Sequence, residues 1–326
     1  MSAFADPEII RMANDDYIPV TGDDWYQRRR QDQEGEFFRK VADAAGRTGP
    51  DGGTRQGIYC FTADGEILAY KNAGQNADVM RDVLKQGLAK WNRLPAAKRK
   101  PGAVEVDGLN KVDARFTRTP PPGGLIAAVY TRILDREEKA GFCKGQCDSL
   151  GGDRAARDHL WLTAAEVKSL VPDNPKEGDT FRVPMAIAMR LVRFHLVDNT
   201  RGEPPAWTRD EVRSQSLTLT VASAASARIK LKLEGTALLA SSADPTQAKR
   251  GFDAKLLGYL NFDRTKGKFD RFDIVALGDH WGESSLTRNA RPGRTPLGVA
   301  IELAGDKPAD RVPPQFAREV GAYFGK

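Results

Sequence analysis

Residues 57–68 run Gly57-Ile58-Tyr59-Cys60-Phe61-Thr62-Ala63-Asp64-Gly65-Glu66-Ile67-Leu68. Ile58 to Phe61 is a short apolar run with two aromatic rings, which suits a buried strand. Ala63-Asp64-Gly65 is a turn signal, and Ile67-Leu68-Ala69-Tyr70 follows as a return strand. Downstream, Val79, Val83, Leu84, Leu88 and Trp91 recur at helical spacing, so a helix is expected from Asn76 or Ala77. Upstream, Arg47 to Gly57 is polar and glycine-rich and reads as a loop. Trp25 to Ala44 reads as a helix with Phe37, Phe38 and Val41 inward. Tyr17-Ile18-Pro19-Val20 is brief, apolar and strand-like. Asp6-Pro7-Glu8 opens a first helix, with Asp6 at the N-cap and Pro7 at N1.

This order of elements resembles the thioredoxin-like family. The apolar strand, Asp-Gly turn and return strand of residues 57–68 carry the likeness. So do the glycine-led entry at Ala73-Gly74-Gln75 into the next helix, and a first helix at Phe4-Ala5-Asp6-Pro7-Glu8-Ile9. The resemblance covers residues 1 to about 93 and implies an α/β thioredoxin-like domain with Ile58 to Phe61 as a central strand. Three departures matter. The family's first strand and its Cys-x-x-Cys are absent, Gly57 stands at the cis-proline position, and Cys60 falls inside a strand. Dithiol exchange needs an exposed thiolate and a resolving partner. The resemblance therefore implies a fold and not an oxidoreductase.

Residues 94–124 read as a linker and extended segment. Ala96-Ala97-Lys98-Arg99-Lys100-Pro101-Gly102 and Thr119-Pro120-Pro121-Pro122-Gly123-Gly124 resist helix and central strand alike, while Val104 to Val106 and Ala114 to Phe116 look extended. Residues 125–326 read as an α+β domain with a mainly antiparallel sheet. Leu125 to Leu134 is a long strand, and Thr163-Ala164-Ala165-Glu166 is a capping box. Pro184 marks N1 of a helix bearing Leu191, Val192 and His195. Leu217, Leu219 and Val221, then Ile229, Leu231 and Leu233, alternate with polar residues. Phe252–Phe262 and Phe269–Leu277 flank a turn at Thr265-Lys266-Gly267, and Leu297 to Leu303 is a last strand. Successive hairpins favour a meander with helices on one side.

The 326 residues carry a net charge of +6, but 50 basic side chains are interleaved with 44 acidic ones. Arg28-Arg29-Arg30 and Lys98-Arg99-Lys100 are the only basic clusters, so nucleic acid is not the expected partner. No run of eighteen apolar residues exists, so no membrane span is expected. The opening Met-Ser-Ala-Phe-Ala-Asp-Pro-Glu lacks the basic and apolar regions of a secretory signal. The chain as given is expected in the cytoplasm, or exported if an N-terminal segment precedes Met1.

Chemistry could reside in two places. Cys143-Lys144-Gly145-Gln146-Cys147 could bind a soft transition metal or form a disulfide, with His159 or Asp148 as a third ligand. The plainer reading is a loop with two structural thiols. Asp279-His280-Trp281-Gly282-Glu283 could make His280 a general base oriented by Asp279 or Glu283, or could simply end a strand. His195 reads as a core histidine. Arg291-Pro292-Gly293-Arg294 could hold an anion, or be a loop of solvated arginines. No P-loop or dinucleotide fingerprint is present, and Ser284 and Ser285 lack a nucleophile-elbow context. The reading that follows is a non-catalytic binding or interaction protein with an unidentified protein or small-molecule partner and no cofactor. The alternatives are a thiol or soft-metal protein acting through Cys143 and Cys147, and an enzyme or small-ligand binder near His280.

Overall fold

Four side-chain caps start the helices of the N-terminal region. Asp6 opens α1 (Pro7–Asp16) by accepting from the backbone N–H of Glu8 and Ile9 at 3.0 and 3.1 Å. Asp23 caps α2 (Asp24–Gln27), Asp32 caps α3 (Gln33–Ala44) and Asn76 caps α4 (Ala77–Arg93). A computed structural model of the chain describes residues 3–48, 53–72, 76–105, 111–116, 119–134, 136–137, 141–142, 155–318 and 320–325. It divides into two compact units, Met1–Thr117 and Arg118–Lys326.

In the first unit, β1 (Ile58–Phe61) and β2 (Ile67–Lys71) form the expected antiparallel hairpin, with Tyr59 opposite Tyr70 and Cys60 opposite Ala69. Among the described residues the hairpin is a two-stranded sheet, and no further strand flanks β1 there as the expected central position requires. Cys60, Leu68 and Ala69 pack with Ile9, Met12, Met80, Val83 and Leu84. Close approach of α4 to β1 depends on Gly87, where a Cβ would lie 2.7 Å from Cys60 Cβ and 2.6 Å from Tyr17 Oη.

Three local expectations are corrected here. Tyr17 to Val20 forms no strand; Tyr17 is tethered by its hydroxyl to Leu84 O at 2.6 Å, while Ile18 is 91% exposed. The helix expected over Trp25 to Ala44 breaks between α2 and α3, because Asp32 turns outward from the helical path to cap α3 and to bind Arg30 at 2.7 Å. Ala114–Phe116 is a 3-10 turn, and Phe116 sits edge-on to Trp25 and Tyr26 at 5.7 and 6.1 Å. The arginine cluster is spent internally. Arg28 faces Asp24 at 3.8 Å, Arg29 lies 4.5 Å over the Trp25 ring, and Arg30 contacts Glu34 at 2.8 Å.

The second unit is built on an eight-stranded antiparallel sheet. Its strands are β3 (Leu125–Ile133), β6 (Ala156–Leu162), β7 (Thr180–Arg182), β8 (Val212–Ala224), β9 (Arg228–Ala240), β10 (Arg250–Asp263), β11 (Lys268–Gly282) and β12 (Thr295–Leu303). A separate short pair, β4 (Arg136–Glu137) and β5 (Gly141–Phe142), lies between β3 and β6 in sequence. The spatial order is β6-β3-β12-β11-β10-β9-β8-β7. Period-two alternation buries Leu217, Leu219, Val221, Ile229, Leu231, Phe252, Ile274 and Val299 on one face. The same core takes in residues of α5 (Ala164–Ser169) and α6 (Met185–Arg190). Thr163 and Glu166 make the expected capping box at α5. Pro184 stands at the N-cap of α6 rather than at N1, and α6 runs on into a π turn, Leu191–His195. A last short helix, α7 (Val320–Tyr323), follows β12. Among the described residues no helix is long and apolar enough to cross a membrane.

Candidate functional site

His280 is carried by the far end of β11. Pleat alternation points it to the buried side, where it is 7% exposed, and sends its neighbours Asp279 and Trp281 to the other. The acids expected to orient it are therefore not its partners. Asp279 projects from the opposite face, and Glu283 Oε2 accepts from Ala290 N at 3.4 Å. The carboxylate that acts on His280 is Asp198, in the loop after the π turn.

Asp198 is held on every side. Its Oδ1 accepts from the Thr200 N–H at 3.0 Å and the Thr200 hydroxyl at 2.6 Å, and its Oδ2 accepts from Arg201 Nε at 2.7 Å. Arg201 in turn donates to the carbonyls of Thr287, Arg288 and Gly282 at 2.8, 3.1 and 3.1 Å. Burial works to raise the Asp198 pKa, but the hydrogen bonds from Thr200 and Arg201 and the nearby His280 outweigh it and hold the carboxyl low. Burial pushes His280 down to about 4 against the pull of Asp198, so the imidazole is neutral at pH 7. The two groups line a cavity of about 10 Å³ with Arg201, Arg291, Ile133 and Leu297. That is room for about one water and for no substrate. Ser284 Oγ is 2.6 Å from Thr287 Oγ1.

On the other side of Trp281 lies an open groove of about 590 Å³. Its walls include Pro245, Thr246, Ala248, Gly293, Arg294 and Trp281. The indole is fixed by a hydrogen bond from Nε1 to Ala248 O at 3.0 Å. It lies over Gly251, where a Cβ would come within 2.0 Å of the ring. The Arg294 guanidinium sits 3.9 Å above the ring centroid, with its side chain 44% exposed and Asp253 4.0 Å away. Arg291, at the groove's inner rim, donates to Leu134 O and Pro296 O at 2.9 and 3.0 Å. Of the two arginines read as a possible anion site, one braces the loop and the other crowns the aromatic ring.

His195 is the core histidine expected. It is 1% exposed, and its Nε2 is 2.8 Å from Tyr323 Oη. Asp158 Oδ2 lies 3.2 Å from Nδ1 but off the line of its N–H, so that contact is electrostatic rather than a completed hydrogen bond. Tyr323 Oη also accepts from the Trp161 N–H at 3.3 Å, and Asp158 Oδ1 accepts from the Gln315 N–H at 2.8 Å. The set ties β6, the π turn and the C-terminal segment together. His159 is buried on β6, and its Nε2 has no hydrogen-bond partner among the described residues. Burial lowers its pKa. Cys143, Cys147 and Asp148 lie outside the described residues, and among the described residues no three metal-ligating side chains come together. Cys60 is buried and free, and burial pushes its thiol pKa up.

Sequence reasoning missed Asp198, Arg201 and Tyr323. Asp198-x-Thr200 is a recognisable side-chain-capped turn, but nothing local ties it to a histidine 82 residues later. No family model, no curated protein and no solved structure matches the chain.

Proposed function

We propose that this chain is a non-catalytic binding protein whose second unit takes a small anionic ligand in the Trp281–Arg294 groove. The observation that carries the reading is the half-exposed Arg294 guanidinium held 3.9 Å over an immobilised indole at the edge of an open groove. A cation fixed on an aromatic face presents its remaining N–H donors outward, in the geometry that recognises carboxylate or phosphate. The neighbouring His280 supports binding over catalysis. It is neutral, enclosed, and opens on a space no larger than a water. The test is tryptophan fluorescence during titration with inorganic phosphate, succinate and a nucleoside monophosphate, with Trp281→Phe assigning the signal. Saturable change with at least one probe, lost in Arg294→Ala, is expected. No change with any probe contradicts the reading.

The first unit, in this proposal, is a thioredoxin-like module without redox function. The buried Cys60 thiol beside Tyr17 and α4 supports that, since thiolate exchange requires access and a lowered pKa. An insulin-reduction assay on the full chain should show no turnover. A thiol or soft-metal role for Cys143 and Cys147 is a separate reading, favoured only by the Nε2 of His159, which meets no hydrogen-bond partner among the described residues. Thiol titration with and without reductant, with metal analysis, decides it.

A further inference from the structure

The surface that the groove offers a ligand is Arg294 rather than the indole beneath it. Trp281 is only 8% exposed, because it lies against Gly251, its cross-strand partner, and the Arg294 guanidinium covers the ring. The guanidinium carbon stands 3.9 Å from the ring centroid, the van der Waals separation of two stacked planes. A guanidinium that points an N–H at the ring holds its carbon farther out. The second plane of Arg294 therefore looks into the groove that the residue lines. Among the described residues its guanidinium makes no hydrogen bond, and its ion-pair contact with Asp253 is a loose 4.0 Å. Asp253 pairs in register with Asp279, so two carboxylates are borne on the strands beside Trp281 and oppose a second negative charge on the ligand. The remaining walls are Pro245, Thr246, Ala248, Gly282, Ala290 and Gly293. They hold one side-chain hydroxyl, which already donates to Asp244 Oδ1 at 2.7 Å.

We infer that the groove takes an aromatic monocarboxylic acid, a flat ring carrying one carboxylate on an arm of one or two carbons; this rests on the reading of the groove as a ligand site. The ring lies on the outer plane of Arg294, extending the indole–guanidinium stack by one layer. The arm lets the carboxylate leave the plane of the ring and reach the N–H donors at the guanidinium edge, where hydrogen bonds to a carboxylate are made in the guanidinium plane. One negative charge answers the Arg294 cation, and the small apolar walls meet the rest of the ring. The groove of about 590 Å³ falls within the range of organic-ligand pockets, about 300–1,000 Å³. A lone phosphate or a small dicarboxylate leaves most of that space and the outer plane of Arg294 in water, and brings a second negative charge toward Asp253.

The test follows the Trp281 indole N–H resonance of a ¹⁵N-labelled full chain titrated separately with naphthylacetate, its saturated decahydro analogue and inorganic phosphate. The saturated acid keeps the charge and the arm and loses only the flat ring. Naphthylacetate should bind about fivefold or more tightly than either of the other two probes. Arg294→Lys keeps the cation and loses the plane, so it should bring the aromatic and saturated acids to within about twofold of each other. The variant's amide spectrum away from the groove reports that it folds. A saturated acid or phosphate that binds as tightly as naphthylacetate, or an aromatic preference that survives Arg294→Lys, overturns this inference and leaves anion binding in the groove standing. Binding of none of the three probes overturns both.

Discussion

His195 and His280 sit on apolar stretches of a helix and a strand, and each is buried beneath the same sheet. Their surroundings differ in one respect. His195 has a hydroxyl at 2.8 Å on one ring nitrogen and a carboxylate at 3.2 Å from the other. His280 has charges arranged around it but faces a water-sized space. The first histidine joins three segments of chain, while the second lines the water-sized cavity with Asp198, Arg201 and Arg291. Burial alone does not identify a working histidine. What each ring nitrogen meets, and what space adjoins it, separates a structural tie from the wall of a site.

The largest expected effect falls on the His195 side. Arg190 is 3% exposed, grips Glu166 through two contacts of 2.6 and 2.7 Å, and donates to Tyr323 O at 3.1 Å. Arg190→Ala strands a part-buried carboxylate, 17% exposed, and frees the C-terminal segment, which should cost about 3–5 kcal/mol in urea unfolding. A loss below about 1 kcal/mol would mean that this assembly is not what fixes the C-terminus.

The next effect belongs to His280. A histidine whose folded pKa is depressed to about 4 is neutral in the native state, while the unfolded chain binds the proton near 6.5. Stability is therefore full above about pH 6.5 and falls as pH drops toward 4, by up to roughly 3 kcal/mol. His280→Gln should flatten that part of the profile. An acid limb unchanged in His280→Gln would contradict the burial assigned to this ring. A smaller effect is expected of Tyr323→Phe, which removes the hydroxyl partner of His195 and should cost about 1–2 kcal/mol by thermal unfolding.

The contrast was only half legible in the sequence. The meander could be read because Leu217, Leu219 and Val221 and their counterparts alternate strictly, and because Thr265-Lys266-Gly267 supplies a turn whose Gly267 takes φ +62°. The hairpin at Ala63-Asp64-Gly65 was legible for the same reason. Tyr17 to Val20 misled because its apolarity serves a single anchor, Tyr17, and not a strand. Trp25 to Ala44 misled because Asp32 competes for the backbone as a cap. At the site, proximity in sequence pointed to Asp279 and Glu283, and the pleat turns the first of them away. The true neighbour, Asp198, is a tertiary contact that no local pattern encodes, as is Tyr323 for His195. Arg294 was visible as a candidate anion contact, but its seat on Trp281 needed the fold.

The groove is tested most directly by the Trp281 indole N–H resonance in a ¹⁵N-labelled full chain titrated with inorganic phosphate. The account predicts a saturable shift of that resonance in the wild type, its disappearance in Arg294→Ala, and its persistence in His280→Gln at pH 7. A Trp281 signal that does not move with phosphate, or that moves equally in Arg294→Ala, would contradict it.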